Sequence, residues 1–243
     1  MSAWSQGSLQ VIHQDLSAGA AADLDRGIKL LRDAAAGTIG PTLRLYRPQP
    51  TMAFGQRDAR LAGFDAAARA ARSHGFEPLV RRAGGRAAAY HRGCLIVDHI
   101  EPHTDAIAGS RERFSLLGAL LAEALRRVGV DAAVGEIPGE YCPGEFSVHG
   151  NGATAQLKLV GTAQRVIAGA WLFSSVIVVE NSAPIRAVLE ATYAALDLNW
   201  DPLTAGAVED LTPGVSVEDV AAAVVAVYSG AARRAAGSTS GSV

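Results

Sequence analysis

A run of β-branched and aromatic residues after position 155 limits the chain to folds that contain long antiparallel strands. The run QLKLVGTAQRVIAGAWLFSSVIVVEN, residues 156–181, is rich in residues that favour strands and has glycine at positions 161 and 169. We therefore predict two or three long antiparallel strands, broken at Gly161 and Gly169.

The rest of the chain alternates between groups of strands and helices. Short apolar or alternating runs predict strands at 9–13, 42–46, 52–56, 77–82, 87–91, 94–100 and 131–134. Apolar residues three and four apart predict helices at 20–35, 65–74, 111–128, 184–196 and 217–228. Because strands occur in groups without sustained β-α-β alternation, we expect an α+β fold with a mixed, largely antiparallel sheet and helices packed against it.

Length and composition favour one domain. A chain of 243 residues can bury a large core, and we expect the domain to span residues 1–230, with the small and polar residues 231–243 as a disordered tail. The net charge of −2 indicates no nucleic-acid partner, and no apolar run approaches the length of a membrane span. Two cysteines without CxxC or Cys/His spacing predict neither a disulfide framework nor a metal site, and favour a reducing cytoplasm.

Two residues suggest covalent chemistry. Only two of the 22 basic residues are lysine, and one of them, Lys158, follows Cys142 by sixteen positions. A compact ammonium suits a reacting carbonyl beside a thiolate better than a wide guanidinium, and a nearby cation favours the reactive thiolate. Pro143 predicts that Cys142 is extended at the entrance to a turn. The alternative for Lys158 is a solvated lysine on an exposed strand face, and the alternative for Cys142 is an inert buried cysteine. The inert interpretation suits Cys94, which lies in the apolar run CLIVDHI.

A glycine turn between two predicted strands forms the second candidate region. The segment RRAGGRAAAYHRG, residues 81–93, has paired glycines that let a ligand approach the backbone, with N–H groups available to an anion or carbonyl oxygen. An ordinary hairpin loop with solvated arginines is the alternative. The candidate substrate-binding residues in this segment are Arg81, Arg82, Gly84, Gly85, Arg86 and His91.

Together these segments resemble the biotinyl/lipoyl protein ligase and transferase superfamily. RRAGGRAAAYHRG resembles its arginine and glycine loop, and KLVGTAQR resembles the strand that carries its lysine. YCPGEFS, residues 141–147, is similar to the cysteine segment of the octanoyltransferases, above all the amidotransferase branch that moves octanoyl groups between lipoyl-carrier proteins. The resemblance covers residues 20–200.

The resemblance implies a two-step acyl transfer. Cys142, held as a thiolate by Lys158, would attack an octanoyl amide or thioester, and a lysine of a lipoyl-carrier domain would then take the acyl group from the acyl-enzyme. The implied partners are the acyltransferase subunit of 2-oxoacid dehydrogenases, a glycine cleavage H-like protein, or acyl carrier protein. No cofactor is required for this transfer.

The resemblance also implies roles for two glycine-containing segments. Gly84 and Gly85 would lie along the acyl chain, and residues 161–163 would lie beside the reacting carbonyl, with backbone donors for an oxyanion. Those three residues are Gly161, Thr162 and Ala163. Arg86 stands where the family has a small or apolar residue, so we expect it to shorten or polarise the acyl channel. The segment SVHGNGATAQ, residues 147–156, predicts a longer turn than the family's hairpin.

Two other functions fit the same residues. One is an ATP-dependent lipoate-protein ligase, in which Lys158 contacts an acyl-adenylate, Cys142 is incidental, and ATP is the co-substrate. The other is a non-catalytic binding protein of the same fold, with Arg86 as the contact for an anion. The acyl-transfer hypothesis requires Cys142 and Lys158 to meet at the mouth of an apolar channel roofed by the double-glycine turn.

Overall fold

The computed structural model describes residues 8–237 and contains two sheets. In spatial order the larger sheet consists of β1 (Gln10–Gln14), β2 (Thr42–Tyr46), β6 (Cys94–Pro102), β10 (Ala170–Val178), β9 (Gln156–Ile167), β8 (Val148–Asn151) and β7 (Ala132–Val134). Strands β1 and β2 are parallel, and all other neighbours are antiparallel. The smaller sheet is β4 (Glu77–Val80), β3 (Thr51–Phe54) and β5 (Ala88–Tyr90), with β3 parallel to β4 and antiparallel to β5.

Six α-helices connect and cover these strands in the described part of the chain. They are α1 (Ala20–Ala35), α2 (Phe64–Ser73), α3 (Ser110–Arg127), α4 (Ser182–Ala195), α5 (Val208–Leu211) and α6 (Val217–Gly237). Short 3-10 turns lie at Asp58–Arg60 and Pro202–Thr204. The predicted α+β fold, with its mixed and largely antiparallel sheet, is confirmed.

The larger sheet is covered on both faces, which explains why its central strands β6 and β10 are buried almost throughout. Because side chains alternate along a strand, Leu95 and Val97 of β6 pack with α3 and α6, whereas Ile100 packs with α1. Ile96 belongs to a separate core formed with the smaller sheet, α2 and α4. The face that carries α1 therefore also carries the smaller sheet, and a cavity lies between them.

Three predictions about element boundaries need correction. Strand β9 continues through Gly161, because that residue still pairs with Val176 of β10, so the run breaks only near Gly169, whose φ is +86°. Residues 147–156 do not form one long turn, because β8 pairs antiparallel with β9 through residues 148–151. Helix α6 continues to Gly237, so residues 231–237 of the predicted disordered tail are helical, and residues 238–243 lie outside the described residues. The domain boundary at 230 stays a prediction.

Among the described helices, none is both long and apolar enough to cross a membrane. The described residues also contain no group of three or more His, Cys, Asp or Glu side chains arranged to hold a metal ion.

Candidate active site

Cys142 and Lys158 line the same cavity. It has a volume of about 240 Å³ and lies between α1, the larger sheet, β4 and the loop that follows β4. Most of the side chains that line the cavity are apolar. Among them are Leu24, Ile28, Leu79, Ile96, Leu172 and Val176. Cys142 and Lys158 therefore lie at one cavity, as the sequence predicted.

The backbone of Cys142 adopts an unusual conformation. Its φ is +45°, in the left-handed region that non-glycine residues rarely enter. The predicted extended conformation is wrong: Pro143 disfavours the right-handed helical region, but contacts from elsewhere in the fold select the left-handed one. Both polar groups of the Cys142 backbone are bound by side chains, since its N–H donates to the Tyr193 hydroxyl at 2.9 Å and its carbonyl accepts from Lys158 Nζ at 2.8 Å.

Lys158 holds the cysteine loop through three hydrogen bonds. Its buried ammonium donates to Glu140 Oε1 at 2.9 Å and to the carbonyl oxygens of Tyr141 and Cys142, each at 2.8 Å. An ammonium has three protons, so these bonds use all of them. Lys158 therefore fixes the loop backbone and neutralises Glu140, and does not donate to the sulfur as the sequence suggested.

Glu140 is the second anchor of this loop. Its Oε1 also accepts from Gly144 N–H at 3.1 Å and from the Ser147 hydroxyl at 2.6 Å, and its Oε2 accepts from Ile137 N–H at 3.3 Å. A buried carboxylate is tolerated only when it is paired and hydrogen-bonded, and these donors together with Lys158 meet that requirement. The buried ion pair thus joins both ends of the loop to β9.

Tyr193 of α4 connects the cysteine loop to the glycine turn. Its hydroxyl accepts from Cys142 N–H and donates to the Ala87 carbonyl, both at 2.9 Å. Burial raises the pKa of Tyr193 well above its ordinary value, so the hydroxyl keeps the proton that it donates. One side chain therefore fixes the distance between the two segments that the sequence singled out.

The glycine turn presents a backbone donor to the sulfur. The N–H of Arg86 donates to Cys142 Sγ at 3.1 Å. Gly85 has φ +95°, and a Cβ there would lie 2.5 Å from Arg81 Nη2 and 3.1 Å from Cys142 Sγ. A Cβ on Gly55 would lie 1.9 Å from the Gly85 carbonyl oxygen. Only glycine at 55 and 85 lets the turn approach the sulfur this closely.

The side chain of Arg86 stabilises this turn and does not polarise the cavity. Its Nη1 lies 3.0 Å from Oδ1 of Asp58, which is fully buried, and the other carboxylate oxygen of Asp58 accepts from Gly55 N–H at 3.0 Å. The expectation that Arg86 shortens or polarises an acyl channel is therefore wrong, because its guanidinium pairs with Asp58 outside the cavity lining. Its backbone contributes the N–H at Cys142.

The other predicted residues of the glycine turn divide into two groups. Arg81 and Arg82 line the cavity, and Arg81 Nη2 also donates to the Arg86 carbonyl at 2.8 Å. Gly84 and His91 are absent from the lining that the described residues form. The ring of His91 accepts from Gly93 N–H at 2.8 Å and bonds to the Asn181 carbonyl at 2.9 Å, a structural role at the start of α4. Substrate binding by Arg81 and Arg82 stays a prediction.

The strand segment of residues 161–163 also lines the cavity. Gly161, Thr162 and Ala163 pair with residues 176, 175 and 174 of β10. Their proposed contact with the reacting carbonyl stays a prediction, since the donor that the structure brings to the sulfur is Arg86 N–H.

The two cysteines differ as the sequence indicated. Cys94 is fully buried, and burial raises the pKa of its thiol to about 12, so it is a core residue. Cys142 is partly exposed to the cavity, and both cysteines are free thiols.

Sequence reasoning missed three residues that position the site, namely Glu140, Tyr193 and Asp58. Glu140 had a weak signal in the sequence, because it precedes Cys142 by two positions in the segment GEYCPGEF. Asp58 and Tyr193 had no signal in the sequence, because their partners are distant. Arg86 lies 28 positions from Asp58, and Cys142 lies 51 positions from Tyr193.

Comparisons with known proteins show which family this chain resembles. The family model for the lipoyl protein ligase A/B catalytic domain matches residues 21–229. Octanoyl-GcvH:protein N-octanoyltransferase of Exiguobacterium sibiricum is 28% identical over 171 residues, which cover 69% of this chain and 60% of that protein. The enzyme of the same name from Geobacillus kaustophilus is 29% identical over 154 residues, which cover 63% and 53%. The matches thus span little more than half of these curated relatives.

Solved structures share the fold. A lipoate-protein ligase A bound with ATP superposes with a TM-score of 0.70 at 20% identity, over 93% of this chain and 85% of that one. A T. acidophilum protein with bound lipoic acid gives a TM-score of 0.68 at 17% identity, over 92% of this chain and 84% of that one. Because the family model covers most of the described chain, the protein belongs to the lipoyl protein ligase A/B catalytic domain family.

Proposed function

We propose that this chain moves a medium-chain acyl group of the octanoyl type from one lipoyl-carrier protein to a lysine of another, through a thioester on Cys142. The observation that carries the proposal is the placement of Cys142 Sγ at the wall of a largely apolar cavity, 3.1 Å from a backbone N–H donor. Such a donor stabilises a sulfur anion. The names of the curated relatives support an octanoyl group and a GcvH donor.

The reaction follows from this geometry. The Cys142 thiolate attacks the carbonyl carbon of the octanoyl amide, a C–S bond forms, the C–N bond breaks, and the carrier lysine leaves as an amine that gains a proton. In the second step the amine of the acceptor lysine attacks the thioester, a C–N bond forms, the C–S bond breaks, and the amine loses a proton. The thiolate is regenerated, so the proton balance over both steps is zero.

The site is built to keep the sulfur in one place. Lys158 and Tyr193 hold the carbonyl and N–H of Cys142, and the strained φ of Cys142 persists because both contacts determine it. Enzymes gain rate from such fixed geometry, because the reacting atoms need no further ordering. We assign Lys158 and Tyr193 as positioning residues and Cys142 as the nucleophile.

A single incubation tests the proposal. Purified protein is mixed with octanoyl-GcvH in the absence of ATP, quenched in acid and analysed by intact mass and peptide mapping. We expect an octanoyl adduct on the peptide that contains Cys142, and hydroxylamine should remove it. Transfer that requires ATP and leaves no adduct would instead identify a lipoate ligase, and neither transfer nor adduct would favour a binding protein.

The proposal includes the setting of the reaction. Transfer uses no cofactor, the acceptors are lipoyl domains of 2-oxoacid dehydrogenases or GcvH-like proteins, and the reaction takes place in a reducing cytoplasm, where a free nucleophilic thiol persists. Acyl carrier protein is the alternative donor, and adding it in place of octanoyl-GcvH in the same incubation distinguishes the two.

The ion pair between Asp58 and Arg86 should control the reactivity of Cys142. In Asp58→Asn the guanidinium loses its charged partner, the turn loosens, and Arg86 N–H leaves the sulfur. We expect alkylation of Cys142 by iodoacetamide at pH 7 to slow and octanoyl transfer to fall by about 10- to 100-fold, the usual cost of a small displacement near the reacting atoms. Arg57→Gln, a change at an exposed neighbour, is the matched control. Alkylation that is equally fast in both variants would contradict this role.

A further inference from the structure

The guanidinium of Arg81 lies close to the sulfur of Cys142. A Cβ on Gly85 would lie 2.5 Å from Arg81 Nη2 and 3.1 Å from Cys142 Sγ, so Nη2 and Sγ are at most about 5.6 Å apart, the sum of the two distances. A positive charge within about 4–6 Å of a titrating group favours the negatively charged form of that group. Because residue 85 is glycine, it places no side chain of its own between the two atoms.

The fold holds Arg81 in this position. Its N–H donates to the Phe54 carbonyl at 2.9 Å, and its carbonyl accepts from Gln56 Nε2 at 3.0 Å, so its backbone is fixed to the end of β3. Its Nη2 donates to the Arg86 carbonyl at 2.8 Å, and the N–H of Arg86 donates to Cys142 Sγ at 3.1 Å. The backbone of one residue therefore connects the guanidinium to the sulfur.

The side chain of Arg81 has hydrogen-bond donors and a charge that the described residues do not satisfy. Its buried Nε has no hydrogen-bond partner among them, and none of their carboxylates forms an ion pair with its guanidinium. Nη2 carries two protons, and the Arg86 carbonyl accepts one of them. A buried donor without a partner is unfavourable, so a cavity that keeps one is suited to an anion that forms there.

The other charges near the sulfur are paired or exposed. Three ion pairs neutralise buried groups around the cavity, namely Lys158 with Glu140, Arg86 with Asp58, and Arg44 with Asp98. Arg82 and Asp25 line the cavity but are exposed, so water and salt screen their charges. Burial raises the pKa of Tyr141 and of Tyr193, so both phenols are neutral. Arg81 is therefore the partly buried cation whose charge can act on the sulfur.

We propose that Arg81 supplies the positive charge that stabilises the Cys142 thiolate, the role that the sequence suggested for Lys158. This inference rests on the proposed function, in which Cys142 is the nucleophile. The thiol proton leaves to water, and the guanidinium, which stays protonated at any working pH, faces the resulting anion. The N–H of Arg86 supplies the hydrogen bond to the sulfur, and Arg81 supplies the charge.

Two alkylating reagents separate the effect of charge from the effect of geometry. Iodoacetamide is neutral and iodoacetate is negatively charged, and in both the thiolate displaces iodide from the same carbon. A cation beside the sulfur raises the rate with iodoacetate relative to the rate with iodoacetamide, whereas a displaced loop slows both reactions alike. The rates are measured at pH 7 and low ionic strength on the peptide that contains Cys142.

Arg81→Gln removes the charge and keeps a neutral N–H donor. We expect its alkylation by iodoacetamide to slow by about 10-fold, because less thiolate is present. The ratio of the iodoacetate rate to the iodoacetamide rate should fall by about a further 5-fold, the order expected when one nearby charge is removed. Arg81→Lys keeps the charge and should keep the ratio. Arg92→Gln, the same change at an exposed position of the same segment, is the matched control.

Two results with these variants would overturn the inference. An unchanged ratio in Arg81→Gln, whatever the rates, would mean that Arg81 only supports the turn. A ratio that falls as far in Arg81→Lys as in Arg81→Gln would mean that charge is not what matters.

The wild-type protein decides the inference if Arg81→Gln does not fold. The ratio should then be higher in the folded protein than in the chain unfolded in urea, and equal ratios would overturn the inference. Alkylation needs no acyl group, so the two proposals fail separately. Loss of the octanoyl adduct with the expected ratios overturns acyl transfer alone, and a normal adduct with an unchanged ratio in Arg81→Gln overturns the role of Arg81 alone.

Discussion

Replacing Cys142 with serine should remove the hydroxylamine-sensitive adduct and lower octanoyl transfer by about three orders of magnitude. A serine hydroxyl needs a general base to become a nucleophile, whereas a cysteine needs only a stabilised thiolate. In the described residues the hydrogen bond to Sγ comes from Arg86 N–H, which is a donor and accepts no proton. The measurement is single-turnover transfer from octanoyl-GcvH, followed by intact mass.

The matched control is Cys94→Ala, which changes the other thiol. Cys94 is buried in the core, so the variant should lose some stability but keep the adduct and the transfer rate. Serine replaces the Cys142 sulfur with a slightly smaller atom, so the melting temperature of Cys142→Ser should stay near that of the wild type. ATP-dependent transfer that survives the serine substitution would contradict the thioester mechanism and favour the ligase.

Replacing Lys158 with arginine should lower transfer by about 100-fold, nearly as much as replacing it with alanine. The three acceptors of its ammonium, Glu140 Oε1 and two carbonyl oxygens, converge within 2.8 to 2.9 Å of one atom. A planar guanidinium spreads its donors over a wide fork and cannot meet this convergence, so the cysteine loop should shift. Even a 1 Å displacement of reacting groups costs about 100-fold in rate.

A second variant separates the effect on rate from the effect on folding. Lys158→Ala leaves Glu140 buried without its cation, which costs about 3–5 kcal/mol of folding free energy. Lys158→Met combined with Glu140→Gln removes both charges and should recover much of the melting temperature without recovering transfer. Lys29→Arg, at the other lysine of the chain, which is exposed, is the matched control. Near-normal transfer in Lys158→Arg would remove Lys158 from the positioning of Cys142.

The order and type of the main elements followed from local patterns. The helix predicted at residues 20–35 has those bounds, and the strand predicted at 42–46 is β2. Apolar spacing and glycine or proline breaks act over a few residues, so the sequence displays them directly. The predicted strand break at Gly161 was wrong, because pairing with β10 keeps this glycine inside β9.

The order in which the strands pair could not be predicted from the sequence. The segments before and after the glycine turn, which resemble a hairpin in sequence, become β4 and β5, and β3 lies between them. The turn therefore crosses the end of the smaller sheet and reaches the cysteine loop. Which strands pair depends on burial against α2 and α4, and local sequence does not contain that information.

Residue type, rarity and motif single out Cys142, Lys158 and the double glycine from the amino-acid sequence alone. The contacts that each of them makes follow only from the fold. Lys158 donates to the loop carbonyls and not to the sulfur, Arg86 pairs with Asp58 outside the cavity, and the Arg86 N–H donates to the thiol. A side chain's role depends on which buried partners satisfy its hydrogen bonds, and here those partners lie on distant segments that meet only in the folded chain.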